Sequence, residues 1–202
     1  MFHRPTLAFF LLAGAVVPTL AAAQDRPLMT PSRDVAITYR MIGPRPGNLH
    51  MSIQASTGLS RVEAASQHGY AIVDRKARQM ILVMSDKHMY LEIPIPAGQQ
   101  RSPELDPTTR FTRQGAGAVA GLNCTVWDYA GEHATGTACI TDDGVMLRVQ
   151  DSTSQHGMEA TEVTYAPQPD ADFRPPPGFT RQELPQTDGG APGTPHGGPP
   201  VR

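Results

Sequence analysis

The chain has two cysteines and one tryptophan in 202 residues, and aromatic residues make up only 6% of it. It also lacks a strong charge of either sign. The formal net charge is −2, or −3 without Arg4 of the N-terminal leader. A balance this weak and mixed excludes nucleic acid or an anionic membrane as an electrostatic partner. Catalytic signatures are missing too. There is no Gly-x-Ser-x-Gly elbow, His-Glu-x-x-His, Ser-x-x-Lys, phosphate loop or dinucleotide fingerprint. His50, His68, His88, His133, His156 and His196 are scattered through polar and turn contexts. Their spacing assembles no acid, base and nucleophile, so neither an enzyme nor a cofactor is expected.

Beyond the N-terminus no apolar run is long enough to cross a membrane. The first residues do hold an apolar run. Arg4 precedes a stretch from about Thr6 to Leu20, and Ala21-Ala22-Ala23 follows. The stretch is about 15 residues, short for roughly 30 Å of hydrocarbon. The small residues fit a cleavage site, so 1–23 reads as a signal peptide cut near Ala23. The expected location is the periplasm or the exterior. In that compartment two cysteines imply a disulfide, Cys124–Cys139. Zinc would need two further ligands, and His133 is the only obvious neighbour in sequence, so no metal is expected.

What the chain has in quantity is a two-residue period. Pro27 and Pro31 make 24–33 an extended lead-in. From residue 34 apolar side chains alternate with polar ones: Val35, Ile37, Tyr39 and Met41, then Leu49, Met51, Ile53 and Ala55. Weaker strands are expected over 59–65, 70–73, 79–84 and 89–93, at about ten-residue spacing with polar turns between them. This is the pattern of an antiparallel meander. Residues 94–114 carry four prolines. Asp106-Pro107 could cap a short helix to Arg113, or the whole segment could be a loop. The last strand covers 158–165. Beyond it Phe173 and Phe179 are expected to anchor a Pro-rich segment onto the core. Of residues 181–202, ten are Gly or Pro. Such a segment cannot bury enough apolar surface to offset its ordering entropy, so 180–202 is expected to be a disordered tail.

Residues 121–150 read as three strands, about 121–130, 134–142 and 145–150. With Cys124 opposite Cys139, Trp127 faces Gly136 and Tyr129 faces Ala134, and the turn falls at about Gly131-Glu132. Asp143-Gly144 supplies the next tight turn. It could also belong to a calcium loop, but the ligand spacing around it is absent. Asn123-Cys124-Thr125 fits the glycosylation pattern, with nothing else to support it. Trp127 and Tyr129 either line a groove or pack as core. The eight methionines beyond the leader either fill irregular core space or line a deformable apolar cavity.

The blocks Ala120-Gly-Leu-Asn-Cys124-Thr-Val-Trp127, Cys139-Ile-Thr-Asp-Asp-Gly144-Val-Met-Leu-Arg148 and Ala160 to Phe179 resemble an exported bacterial family of unknown function. That family is related to the lipoprotein-carrier (LolA-like) superfamily, and the resemblance covers residues 34–179. It implies a mainly β fold: a strongly curved antiparallel sheet, a half-barrel, with little helix. The concave face of such a sheet receives acyl chains or a protein partner. The expected function is therefore a non-enzymatic periplasmic module that binds a lipid or other apolar ligand. Met51, Met84, Met89 and Trp127 are the candidate contacts. The alternative is an envelope protein–protein interaction or regulatory module without a small ligand.

Overall fold

The structure, a computed structural model, describes residues 26–44, 46–96, 108–132, 134–154 and 156–183. The expected signal peptide, the tail from residue 184, and Asp106-Pro107 lie outside the described residues. Twelve strands form one sheet: β1 (Val35–Ile42), β2 (Gly47–Gln54), β3 (Leu59–Ala64), β4 (Gly69–Asp74), β5 (Gln79–Met84), β6 (Met89–Pro94), β7 (Arg110–Val119), β8 (Leu122–Ala130), β9 (Thr135–Ile140), β10 (Met146–Asp151), β11 (Gly157–Thr164) and β12 (Thr180–Gln182). Their order is β12-β6-β5-β4-β3-β2-β1-β11-β10-β9-β8-β7. All neighbours are antiparallel except β12, which runs parallel to β6.

β1 sits inside the sheet, between β2 and β11. Its alternation is the one read from sequence, and Val35, Ile37 and Tyr39 are almost fully buried. Buried Tyr39 donates its hydroxyl to the Met146 carbonyl at 2.7 Å, which satisfies its polar end. The sheet curls strongly beyond β1. Three intervening strands would separate β7 and β11 by roughly 19 Å in a flat sheet, yet residues of the two come within 8 Å. Register shifts at Thr38/Tyr39, Met146/Arg148 and Arg113/Gly115 supply local bends.

Three expectations change. Residues 110–113, read as helix or loop, begin the ten-residue strand β7. Most β7 side chains are exposed, so the strand carries no apolar alternation, and Gly115 and Gly117 hide it further. Gly117 leaves room for the disulfide, since a Cβ there would meet Val126 Cγ2 at 3.0 Å and Cys139 Sγ at 3.1 Å. The turn into β8 is Ala120-Gly121, both with positive φ as the tightest hairpins demand.

The β8–β9 register is two residues away from that expected. Val126 faces Cys139, Trp127 faces Ala138, and Tyr129 faces Gly136. The connection is longer, since the last pair is Ala130 with Thr135 and Gly131 N–H donates to the Ala134 carbonyl. A slip of two leaves every side chain on its own face, so alternation could not detect it. The Cys124–Cys139 disulfide is present all the same, running diagonally between the strands with its Cα atoms 5.5 Å apart.

Thr180–Gln182, placed in the tail by composition, form β12 instead. Thr180 N–H donates to the His88 carbonyl, and Arg181 pairs with Glu92 at 2.8 Å. This strand ends a belt that starts at Tyr165. Gln168 N–H donates to Asp34, and buried Gln54 donates to the Gln168 carbonyl and to Asp170. Phe173 inserts among Tyr70, Ile72 and Val83, with Phe179 packed beside them. The belt therefore covers one face of β3–β6.

Replacing both cysteines by Ala should lower the unfolding free energy by about 3 kcal/mol, read by urea denaturation. Reductant should produce a similar loss in the native chain and none in the variant.

Candidate functional site: one apolar sheet face and its hollow

Two cross-strand rows start from β1. One runs Ile37–Met51–Val62–Ala71–Leu82–Leu91 across β1 to β6. The other runs Met41–Met158–Val149–Ala138–Trp127–Arg113 across β1 and β11 to β7. Ile37 and Met41 are four residues apart on one strand, so both rows lie on the same face. Both rows are apolar over ten strands, from β6 to β8, and the charges on this face are Arg113 on the edge and Asp151 at the end of β10. Tyr70, Ile72 and Val83 point the other way, under the belt.

The second row carries a hollow of about 690 Å³, lined by Met41, Ile42, Tyr129, Val149 and Met158, with Asp151 and His156 as its polar members. This is within the size range of small-molecule sites. Its wall is mostly apolar. Burial, with the Asp151 charge second, pushes the Tyr129 hydroxyl up to about 12, and it donates to the Gln150 carbonyl at 3.4 Å. The Tyr129 ring lies against Gly136. A Cβ at that glycine would stand 2.6 Å from Tyr129 Oη and 2.0 Å from the Gln150 carbonyl oxygen.

The candidate contacts fall on this face but not in the hollow. Met51 sits in the first row, between Ile37 and Val62. Met84 and Met89 face each other across β5 and β6. All three are half-buried. Trp127 lies in the second row and is 6% exposed, packed with Tyr129, Ala138, Ile140 and Met146 and edge-on to Phe111. The residues that do line the hollow, Met41, Tyr129, Val149 and Met158, sit on strands read correctly from sequence. Their pooling needed the β1–β11 pairing, which joins positions more than 100 residues apart.

Polar side chains converge elsewhere without forming a reaction centre. Thr38, His50 and Glu63 form a cross-strand row on the opposite side of β1–β3, in a hollow of about 460 Å³ that also holds Arg61 and Asp86. These groups satisfy each other: Arg61 pairs with Glu63 at 2.8 Å and stacks on Tyr70, and Thr38 bonds His50. Among the described residues no three His, Cys, Asp or Glu side chains are placed to hold a metal ion. No described helix is long and apolar enough to cross a membrane.

A polar latch borders the Trp127 end. Arg33 reaches Asp143 Oδ2 through Nη2 at 2.7 Å and Nε at 3.1 Å, and its guanidinium lies 3.9 Å from the Tyr165 ring centroid. Tyr165 and Thr141 donate to the other Asp143 oxygen. Burial works against the Asp143 charge, but the hydrogen bonds from Thr141, Arg33 and Tyr165 outweigh it and hold the carboxyl below its ordinary value.

The fold and this face define a class: an open, strongly curved, mostly antiparallel sheet with one continuous apolar face. The chain belongs to the family described as Domain of unknown function (DUF4412), which matches residues 36–147. This agrees with the resemblance drawn from the cysteine blocks. The match ends at Leu147, so most of β10, all of β11 and the belt lie beyond it. Among solved structures the chain is similar to an uncharacterized conserved protein from Thermus thermophilus, with a TM-score of 0.54 and 11% identity over 76% of this chain and 91% of that one. Weaker similarities are to PNGF-II, with a TM-score of 0.49 and 12% identity over 75% of this chain and 32% of that one, and to the LolA superfamily protein NE2245 from Nitrosomonas europaea, with a TM-score of 0.38 and 8% identity over 73% and 92%. No curated protein matches the chain. At such identities the Thermus likeness speaks to the fold alone.

Two outcomes are expected from this geometry. Gly136→Ala should cost roughly 1–3 kcal/mol through overpacking and should shift the Tyr129 side chain, seen as a change in its ring resonances. The lowered Asp143 value makes its contribution to stability present above the ordinary carboxylate value of 3.8 and lost as pH falls through the folded value. Denaturation midpoints should therefore fall more steeply below that pH in the native chain than in Asp143→Asn.

Proposed function

We propose that the protein is an exported, non-enzymatic binding module that takes a lipid or similar apolar molecule onto the apolar sheet face. The observation that carries this reading is the hollow of about 690 Å³ bounded by Met41, Tyr129, Val149 and Met158. A face that only closed a core would bring side chains together there. Flexible methionines suit a ligand of varying shape, since their thioethers adapt without branching. Met51 extends the surface along the half-buried first row, and the Met84–Met89 pair lies beside that row, where a longer chain would continue. Trp127 backs the opposite end.

Export is supported by the leader sequence and by the disulfide, which is stable in an oxidising compartment. The Thermus likeness supports the open sheet and says nothing of the ligand. A protein docked on the same face is the second reading. It is favoured only by the half-buried first row, and it leaves the hollow without a role.

Purified mature protein titrated with the uncharged probe N-phenylnaphthylamine should show saturable fluorescence enhancement. Mass spectrometry of an organic extract should recover a co-purified lipid. Met158→Trp, which fills the hollow, should weaken probe binding by about tenfold or more, while Glu159→Gln next to it should not. If the native protein shows neither saturable binding nor an extracted lipid, the reading fails. Specific crosslinking of another envelope protein to the first row would then favour docking.

A further inference from the structure

The lead-in residues 26–33 do more than enter the sheet. They join no strand. They cross the β8–β10 end of the apolar face as a strap. Met29 packs on the cluster of Trp127, Tyr129, Ala138, Ile140 and Met146, the same cluster whose neighbours Val149 and Met158 line the hollow. Arg26 lies 5.3 Å from the Phe111 ring centroid. A gap of about 200 Å³ remains between the strap and Trp127, bounded by Pro27, Leu28, Arg113 and Ile140.

The strap is lightly buried over residues 26–30 and firmly held at its far end. Arg26, Leu28 and Thr30 are exposed, Leu28 with half its surface in water, Pro27 and Met29 are half-buried, and Pro31 is buried. Segments with few buried apolar contacts open at low free energy. At the far end Ser32 N–H donates to the Asp143 carbonyl, and Thr30 lies against Gly144, where a Cβ would stand 2.5 Å from the Thr30 oxygen. The Arg33–Asp143–Tyr165 latch adds the charge-assisted bonds. Asp34, beyond it, is fixed by accepting from Ala55 and Gln168 N–H. That makes residues 33–34 the hinge.

We propose that this strap is a removable cover that occupies the Trp127 end of the ligand surface, with Met29 standing in for apolar ligand and the Arg33–Asp143 pair as its latch. The inference rests on the binding reading above. A ligand entering from Met41 and Met158 would advance along the row by displacing Met29, lifting the strap and uncovering Trp127.

Trp127 is the only tryptophan of the chain, so its fluorescence reports the cover without any ligand. In the mature protein, Arg33→Ala and Asp143→Asn should each raise acrylamide quenching of Trp127 about twofold to threefold, because an exposed ion pair contributes modestly to closure. High salt should raise quenching in the native chain and not in Arg33→Ala. Both variants should speed N-phenylnaphthylamine association by a similar factor, and saturating probe should increase hydrogen exchange in residues 26–33. Quenching that neither variant nor salt changes overturns the cover, as does freed quenching with an unaltered association rate. If no variant binds probe saturably, the binding reading fails and the cover falls with it. Saturable probe binding with unchanged exchange in 26–33 sinks the cover and leaves the binding reading standing.

Discussion

Cross-strand pairing to β1 is the constraint on which the rest of the structure depends. β1 pairs with β2 on one side and β11 on the other, and so assigns a face to nearly every strand in the sheet. Because side chains alternate, placing Val35, Ile37 and Tyr39 on one face commits Leu49, Met51 and Ile53 to it through β2. The same choice commits Met158 through β11. The result is one apolar face shared by both halves of the sheet. A one-residue slip at β1 would turn that whole surface to the opposite side.

A sheet this wide could not remain flat and still cover its apolar face. The three extra residues lie on β11, β10 and β7, all on the side of the sheet that curls. Bulges of this kind raise local twist. The disulfide lies in the curled half, where its diagonal path ties β8 to β9. The opposite half has no bulge and is held by the belt. Phe173 buries its ring under β4 and β5, and β12 pairs with what would otherwise be the exposed flank of β6. Such pairing also blunts an edge that could recruit another chain.

The described segments before β1 and after β11 thus lie on opposite faces. The belt after Tyr165 is packed, hydrogen-bonded and closed by a strand. The strap before Asp34 offers Met29 to the apolar cluster and is held at its far end by buried Pro31, the Ser32 N–H bond to the Asp143 carbonyl and the Arg33–Asp143 pair. Both meet at Asp34 and Tyr165, which contact the strap side and the belt side together. The belt covers one face of β3–β6, and the hollow lies on the other face of the sheet.

Alternation alone determined most of the strand content, the β1–β6 meander and the apolar side of those strands, and two cysteines behind an apolar N-terminal run pointed to the disulfide. Those features are local, or come from neighbours in sequence. The period of two could not determine the β8–β9 register, because a slip by two preserves every face. It could not reveal β7, whose side chains are mostly exposed and whose Gly117 makes room for the cysteines. It could not place Thr180–Gln182, whose pairing partner is about 90 residues earlier. Nor could it gather Met41, Val149, Tyr129 and Met158 around one hollow. That grouping exists only because β1 pairs with β11, and pairing between distant strands is set by the packing of the whole sheet.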